Sequence, residues 1–402
     1  MTHHYSIEFG TPIYCCAFID SRKIILGAGG GTTKSGITNK LTIIQLDPPN
    51  KSSNVTTEFN LEKGEDVPMS MEFDRSNKQL ICGINAPLLS SSPEKNLHLR
   101  TFSLEKNQQL KSKTAQRVLT YESEDNYQRI TCLSDQAPKL LAVGGTNNQL
   151  DLLNYPSLRP AFNTIWCTEK EDQKSQLLAV DFHPDGSQFL VGSSRHVKLF
   201  STKRKLSKKG SKKIFPPDLI RQFEPPSTSA NQNTSFRNVM YGRGINSKTV
   251  YTIVNHLPNK GDYGRKSNSI WPRSDQRKAV LISWNLDDGQ QRRSKMISNK
   301  PVTSFDISSS GKLLAFSSSD LSIGILDASS LRSLLSILHA HEFPVTSIKF
   351  SPDEERVVSC SADMTIRVIE LDKSILDRSS KQLFILISLI ILLIGFLIKF
   401  LN

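Results

Sequence analysis

Cysteine is scarce in this chain, with six residues in 402, at Cys15, Cys16, Cys82, Cys132, Cys167 and Cys360, and no C-x-x-C pair among them. That excludes a disulfide scaffold and a thiolate zinc framework, and leaves buried thiols in a reducing compartment as the simple expectation. The eight histidines show no H-E-x-x-H spacing, and there is no G-x-S-x-G elbow, so no hydrolytic or metalloprotease set is present. Long stretches with a 3.6-residue apolar period are missing between the two ends, which argues against a helical bundle. The opening MTHHYSIEFG lacks a basic segment followed by an apolar run, so no secretory signal is expected. Acidic residues are in deficit: 51 Lys and Arg face 38 Asp and Glu, a formal charge of +13. A nucleic-acid or anionic-membrane partner follows only if that charge sits in one place.

Short β-rich runs fill the middle of the chain. They include YCCAFI, KIILGAGG and KLTIIQLD in the first fifty residues, then LLAVDFHPDGSQFLVGSSRHVKLF, VTSFDISSSGKLLAFSSSDLSIGILD, and HEFPVTSIKFSPDEERVVSCSADMTIRVIEL at 341–371. Each reads as strand, turn, strand, small-residue turn, strand. Repetition at about 40 residues is the signature of a β-propeller. Seven units are expected, near residues 10–47, 66–104, 128–158, 178–201, 236–286, 302–327 and 345–371. The units resemble WD repeats; Ser361-x-Asp363-x-Thr365-Ile-Arg-Val matches that pattern closely, with Ile369 in place of the usual Trp. The fold class expected is therefore all-β, a seven-bladed WD-like propeller over 1–372, with one C-terminal transmembrane α-helix. The strand-like His4–Phe9 is expected to close the ring beside residues 364–371. His339-x-His341 has the spacing of a ligand pair, but at the start of such a blade a structural, hydrogen-bonding histidine is the expectation.

The membrane helix is read from LFILISLIILLIGFLI, Leu383 to Ile398, which carries no charge and continues past Lys399 to Leu401. As a helix its first 16 residues rise about 24 Å. Lys373, Arg378 and Lys381 precede it in a linker over 373–382. The positive-inside bias then keeps the propeller cytosolic, and the short span suits a thin bilayer such as the endoplasmic reticulum.

The most unusual segment is Gly27-Ala-Gly-Gly-Gly-Thr-Thr-Lys-Ser-Gly-Ile-Thr-Asn-Lys-Leu41. A phosphate-binding loop would need Gly before the Lys and a helix after it, but Thr33 precedes Lys34 and a strand-like LTIIQL follows. A dinucleotide fingerprint lacks its third glycine. Two readings stay open: a long inter-strand loop whose glycines supply positive φ, or a pre-shaped binding element whose carbonyls turn inward.

GGG, a polar stretch and then GI-x-NKL resemble the signature loop of the membrane-anchored propellers that act as guanine-nucleotide exchange factors for the Sar-type GTPase of COPII coats. The segment FGTPIYCCAFIDSRKIILGAGGG and the apolar C-terminal run are similar to that family too. The resemblance implies that Asn39 is essential for exchange, that Ile37 gives apolar contact beside it, and that Gly29, Gly30, Gly31 and Gly36 form a potassium-ion loop. Asp66, in Glu65-Asp66-Val-Pro68-Met69, is implied as a second contact. Thr38 departs from the family's usual Pro and Ala28 from a glycine. The implied place is the endoplasmic-reticulum membrane, with cycling through the Golgi. The alternative is a non-catalytic propeller platform on the same membrane.

The positive charge is concentrated. Residues 203–299 hold 20 basic and 6 acidic side chains, whereas the rest of the chain holds 31 and 32. Its densest part is KRKLSKKGSKK: Lys203, Arg204, Lys205, Lys208, Lys209, Lys212 and Lys213. The Pro-, Ser- and Asn-rich stretch to about 235 reads as a disordered insertion. Two readings of this tract stay open, a solvated loop or contact with anionic lipid head groups, where each basic residue near the surface contributes about 1 kcal/mol. A membrane anchor argues against nucleic acid.

Overall fold

A computed structural model describes residues 3–32, 35–86, 96–121, 123, 126–167, 175–205, 214–225, 232–258 and 278–372. Among these residues the regular structure beyond a single 3₁₀ turn is β-strand, arranged as seven antiparallel sheets. Blade 1 is Ile13–Phe18, Lys23–Ala28, Lys40–Asp47 and Ser52–Asn60. Blade 2 is Pro68–Asp74, Gln79–Ile84, Leu99–Leu104 and Leu110–Gln116. Blades 4 to 6 repeat the pattern from Leu177 to Ile337, whereas blade 3, which begins at Gln128, divides its outer edge between Arg159–Pro160 and Ile165–Trp166. The last blade takes three strands from the C-terminal side, Val345–Phe350, Arg356–Ser361 and Thr365–Glu370. Its fourth strand is His4–Glu8, antiparallel to Thr365–Glu370 with Tyr5 opposite Val368. The seven units and the ring closure read from the sequence are thus both present.

The strands are apolar at nearly every position because each blade is covered on both sides. In blade 1, Ile24, Leu26 and Ile44 pack toward blade 7 against Val358, Ile366 and Val368. The intervening Ile25, Leu41 and Ile43 pack toward blade 2 against Leu80, Cys82 and Phe102. Successive side chains point to opposite faces of a strand, so a continuous apolar run serves two interfaces at once. Seven such buried clusters occur, one between each pair of neighbouring blades.

Apart from the closing strand, the outermost strands were not legible as strands. Ser52–Asn60 and Gln291–Ser298 are largely polar and exposed, because a rim strand has one sheet neighbour and solvent beyond it. The expected disordered insertion over 203–235 needs correction for the same reason. Leu219–Phe223 pairs with Val197–Ser201 as the fourth strand of blade 4, and Gln232–Tyr241 opens blade 5. Residues 206–213 lie outside the described residues, as do the linker at 373–382 and the expected anchor at 383–401. No helix among the described residues is long and apolar enough to cross a membrane.

His341 is a structural histidine. It is buried, with Nδ1 2.9 Å from Thr365 Oγ1 and 3.1 Å from Asp363 Oδ2, and Nε2 2.8 Å from Ser359 Oγ. His98 plays a parallel part in blade 2. Its Nε2 accepts the N–H groups of Val118 (3.1 Å) and Leu119 (2.9 Å), so Nδ1 carries the proton and donates to Gln128 Oε1 at 2.8 Å.

Protonating His98 would break both backbone bonds, and burial holds its pKa down to about 4 against a Gln128 bond that raises it. A depressed folded-state pKa means the neutral form's contribution is complete above the unfolded value near 6.5 and is lost as pH falls toward 4. The shift corresponds to about 3 kcal/mol. Urea unfolding of the protein between pH 7 and pH 4 is expected to show a loss of that order, and the slope should flatten in His98→Gln.

Candidate functional site

The antiparallel order of each blade sorts its loops. First strands of neighbouring blades meet around the central axis. Connections from second to third strand, and from one blade to the next, therefore lie on one face; the remaining turns lie on the other. The glycine loop joins Lys23–Ala28 to Lys40–Asp47, and residues 61–67 join blade 1 to blade 2. Both are on the same face, and they touch.

Asn39 is what joins them. It is 9% exposed. Its Oδ1 accepts the Gly31 N–H at 2.9 Å, and its Nδ2 donates to Gly31 O at 3.0 Å and to Glu65 O at 2.8 Å. Leu61 N–H donates to Asn39 O at 2.9 Å. One amide therefore closes a two-bond ring with Gly31 and ties the loop to the next connection. Gly29 makes this approach possible: a Cβ there would lie 2.1 Å from Asn39 Oδ1 and 2.6 Å from its Cα. Gly31 sits at φ +74°, a conformation that costs other residues about 1 kcal/mol or more. Gly30 backs onto Ser35 and Ile37, and Gly36 turns in open space.

Asp66 belongs to the same constellation. Its Oδ1 would be 3.5 Å from a Cβ on Gly31, and it accepts the Val67 N–H at 2.7 Å. Burial pushes its carboxyl above the ordinary carboxylate value. Ile37 stands 36% exposed at the outer part of the loop. Glu65 escaped notice in the sequence. It is buried, paired with Arg100 of blade 2, and its Oε2 accepts the Glu62 N–H at 2.9 Å. No local motif marks a pair separated by 35 positions.

The carbonyls of Gly31 and Glu65 converge on a single point, as a cation's ligands would. The atom at that point is Asn39 Nδ2, a neutral donor that fills the place. Those two carbonyls are thus engaged by an amide. No cluster of three or more His, Cys, Asp or Glu suited to a metal occurs among the described residues.

The basic tract begins on the opposite face, between the third and fourth strands of blade 4. Lys203, Arg204 and Lys205 are exposed there; Lys205 pairs with Asp218 at 2.6 Å, and Arg204 lies over the Phe162 ring at 5.9 Å. Lys208, Lys209, Lys212 and Lys213 are outside the described residues.

The WD domain, G-beta repeat family matches residues 167–201, which hold the first three strands of blade 4, and 332–370, which hold the last strand of blade 6 and the C-terminal three of blade 7. SEC12 of Candida glabrata, a guanine nucleotide-exchange factor, is 21% identical over 94% of this chain and 74% of its own length. The chain is similar to SEC12-type exchange factors. SEC12-like protein 2 of Arabidopsis thaliana is 23% identical over 85% of the chain and 74% of its own length. SED4 of Saccharomyces cerevisiae is 23% identical over 96% of the chain, which spans only 33% of that longer relative. Raptor from Chaetomium thermophilum superposes on 91% of the chain with a TM-score of 0.61 at 12% identity, covering 28% of Raptor. That likeness concerns the fold alone.

Gly29→Ala is expected to force Asn39 out of its ring and to lower stability by about 1–3 kcal/mol. Thermal unfolding and hydrogen exchange at the Gly31 amide measure it; exchange there should accelerate far more than in Gly36→Ala.

Proposed function

We propose that this chain is a guanine-nucleotide exchange factor that promotes GDP release from a Sar-type small GTPase at the endoplasmic-reticulum membrane, starting COPII coat assembly and transport to the Golgi. The observation that carries the reading is the Asn39 clasp, which holds Ile37 outward on a fixed loop, in a chain similar to SEC12 over nearly its whole length.

Exchange forms and breaks no covalent bond. A small GTPase holds its nucleotide through Mg²⁺, phosphate contacts and ordered switch segments. A partner that binds the nucleotide-free form more tightly weakens nucleotide binding by the same factor, since the coupling is reciprocal. A hundredfold preference needs about 2.7 kcal/mol, which a few well-placed contacts supply. Ile37 would provide apolar contact to a switch segment. Asn39, with its amide engaged inside the protein, acts as a positioning residue that keeps Ile37 and Asp66 in place. Its buried ring leaves no free donor to probe the nucleotide site directly.

That same internal engagement favours the second reading, a non-catalytic platform, because a rigid loop can dock a partner without disturbing its nucleotide. Release of a fluorescent GDP from a Sar-type GTPase separates the two. The protein should accelerate release at least tenfold, Ile37→Asp should remove the acceleration at unchanged melting temperature, and Asn39→Ala should lower both. No acceleration by the wild type would leave the platform reading.

The membrane assignment rests on the apolar run at 383–401 and places the propeller in the cytosol, with Lys203, Arg204 and Lys205 opposite the loop and available to anionic lipid. Asn54-Val-Thr lies on the exposed rim strand Ser52–Asn60 and forms an N-glycosylation sequon. Asn54 is expected to carry no glycan in cells; a glycosidase-sensitive mass shift lost in Asn54→Gln would refute the topology.

A further inference from the structure

We propose that the face bearing the Asn39 loop carries a second docking site for the same GTPase, a groove between blades 6 and 7 that receives an apolar side chain flanked by a basic one. This rests on the exchange-factor reading and extends its contact surface. The groove is a cavity of about 860 Å³ lined by Glu8, Leu321, His339, Glu342, Met364 and Arg367 among others. It is formed by the closing strand His4–Glu8, the connection from blade 6 to blade 7 and the turns at 319–322 and 362–364.

Three independent features mark it as a binding surface. First, apolar side chains are exposed there. Met364 is 37% exposed, and Leu338 and Phe343, the chain neighbours of His339 and Glu342, are 74% and 57% exposed. Large apolar groups left in water on one side of a groove are characteristic of contact sites.

Second, the backbone bears a cost to present them. Leu321 and Met364 hold φ of +68° and His339 +48°. The equivalent turn of blade 3 puts Asn148 at φ +67°, the side chain that tolerates this conformation. Blades 6 and 7 place Leu and Met at that position instead. Strain of this kind, of order 1–3 kcal/mol, gathers at ligand clamps.

Third, the charge is unbalanced. Glu8 and Glu342 have no ion pair among the described residues, while Arg367 is held by Ala340 O at 2.6 Å and by His4 Nδ1 at 3.1 Å. Two unpaired carboxylates beside apolar side chains suit a Lys or Arg next to a hydrophobic residue.

The groove is also physically continuous with the Asn39 loop. Phe9 and Gly10 N–H groups donate to Met364 O at 2.8 and 3.3 Å, and Gly29 N–H donates to Pro12 O at 3.0 Å. Four residues of backbone thus link one site to the other, so a single globular partner seated on Ile37 would reach both.

The test is GDP release from a Sar-type GTPase, measured with the full-length protein in detergent over a range of its concentrations. Met364→Asn relieves the backbone strain and removes the apolar side chain, so its melting temperature should equal or exceed that of the wild type. Met364→Asn and Phe343→Ser should each raise the half-saturating concentration about five- to twentyfold and leave the plateau rate within twofold, whereas Asn39→Ala lowers the plateau. Glu342→Lys should raise half-saturation further as salt is lowered. Half-saturation within twofold of wild type in both Met364→Asn and Phe343→Ser would overturn the groove while leaving the exchange reading intact. Unchanged release together with lost self-association in sedimentation would assign the groove to a second copy and also overturn the proposal. No release by the wild type would overturn both readings.

Discussion

Closure of the ring by five residues from the start of the chain is the constraint on which the rest of the structure depends. Without His4–Glu8, blade 7 would end at Thr365–Glu370 with an open row of backbone donors and acceptors. Tyr5 would also leave the cluster it shares with Ile24, Leu26 and Val368. The consequence reaches the functional face directly, because the closing strand runs on through Phe9 and Gly10 into Pro12, whose carbonyl anchors Gly29. Lys40, at the far end of the loop, lies 5.7 Å over the Phe9 ring and pairs with Glu58 at 2.6 Å. Ring closure and loop placement are therefore connected through four residues of backbone, from Phe9 to Pro12.

The inner architecture was legible from residues because three strands of each blade are buried on both sides. KIILGA and KLTIIQLD announce themselves as continuous apolar runs, and the spacing of such runs counts the blades. Apart from the closing strand His4–Glu8, the fourth strands were not legible, since SSNVTTEFN and QRRSKMIS carry the composition of loops. Their strand character comes from a neighbour already in place, a tertiary effect that local propensity does not encode. The site divides in the same way. Its glycines and Asn39 stand out by sequence, and Asp66 does lie against Gly31. Glu65 and Arg100 could not be found by pattern, because their pairing exists only once blades 1 and 2 are side by side. The role of Asn39 was also invisible: nothing in GI-x-NKL tells an amide aimed outward from one closed in a ring with Gly31.

The topology also separates two features that the sequence left unordered. The glycine loop and the groove of blade 7 lie on the face made by inter-blade connections. Lys203–Lys205 and the point where the chain leaves the propeller, after Leu371, lie on the other. Among the described residues, the exposed Lys203, Arg204 and Lys205 thus lie away from the candidate docking face. A contact made by those three residues would not compete with docking at Ile37.

Strongly perturbed ionisable groups are usually the first pointer to a functional site, and here they point elsewhere. The central channel holds Lys349 3.6 Å from Asp306 and Arg243 2.7 Å from Asp181. Burial raises the carboxyls of Asp306 and Glu72 above their ordinary values. These pairs hold backbone: Asp306 accepts the Phe350 N–H and Asp181 the Tyr241 N–H, at 2.8 and 2.7 Å. They pin the first strands of neighbouring blades to one another around the axis, a structural task. Among the described residues the loop site has one shifted carboxyl, Asp66, and no comparable set of ion pairs, and a docking function requires none. What it requires is an apolar contact on a supported loop, and Ile37, two residues before the Asn39 that bonds Gly31 and Glu65, supplies one.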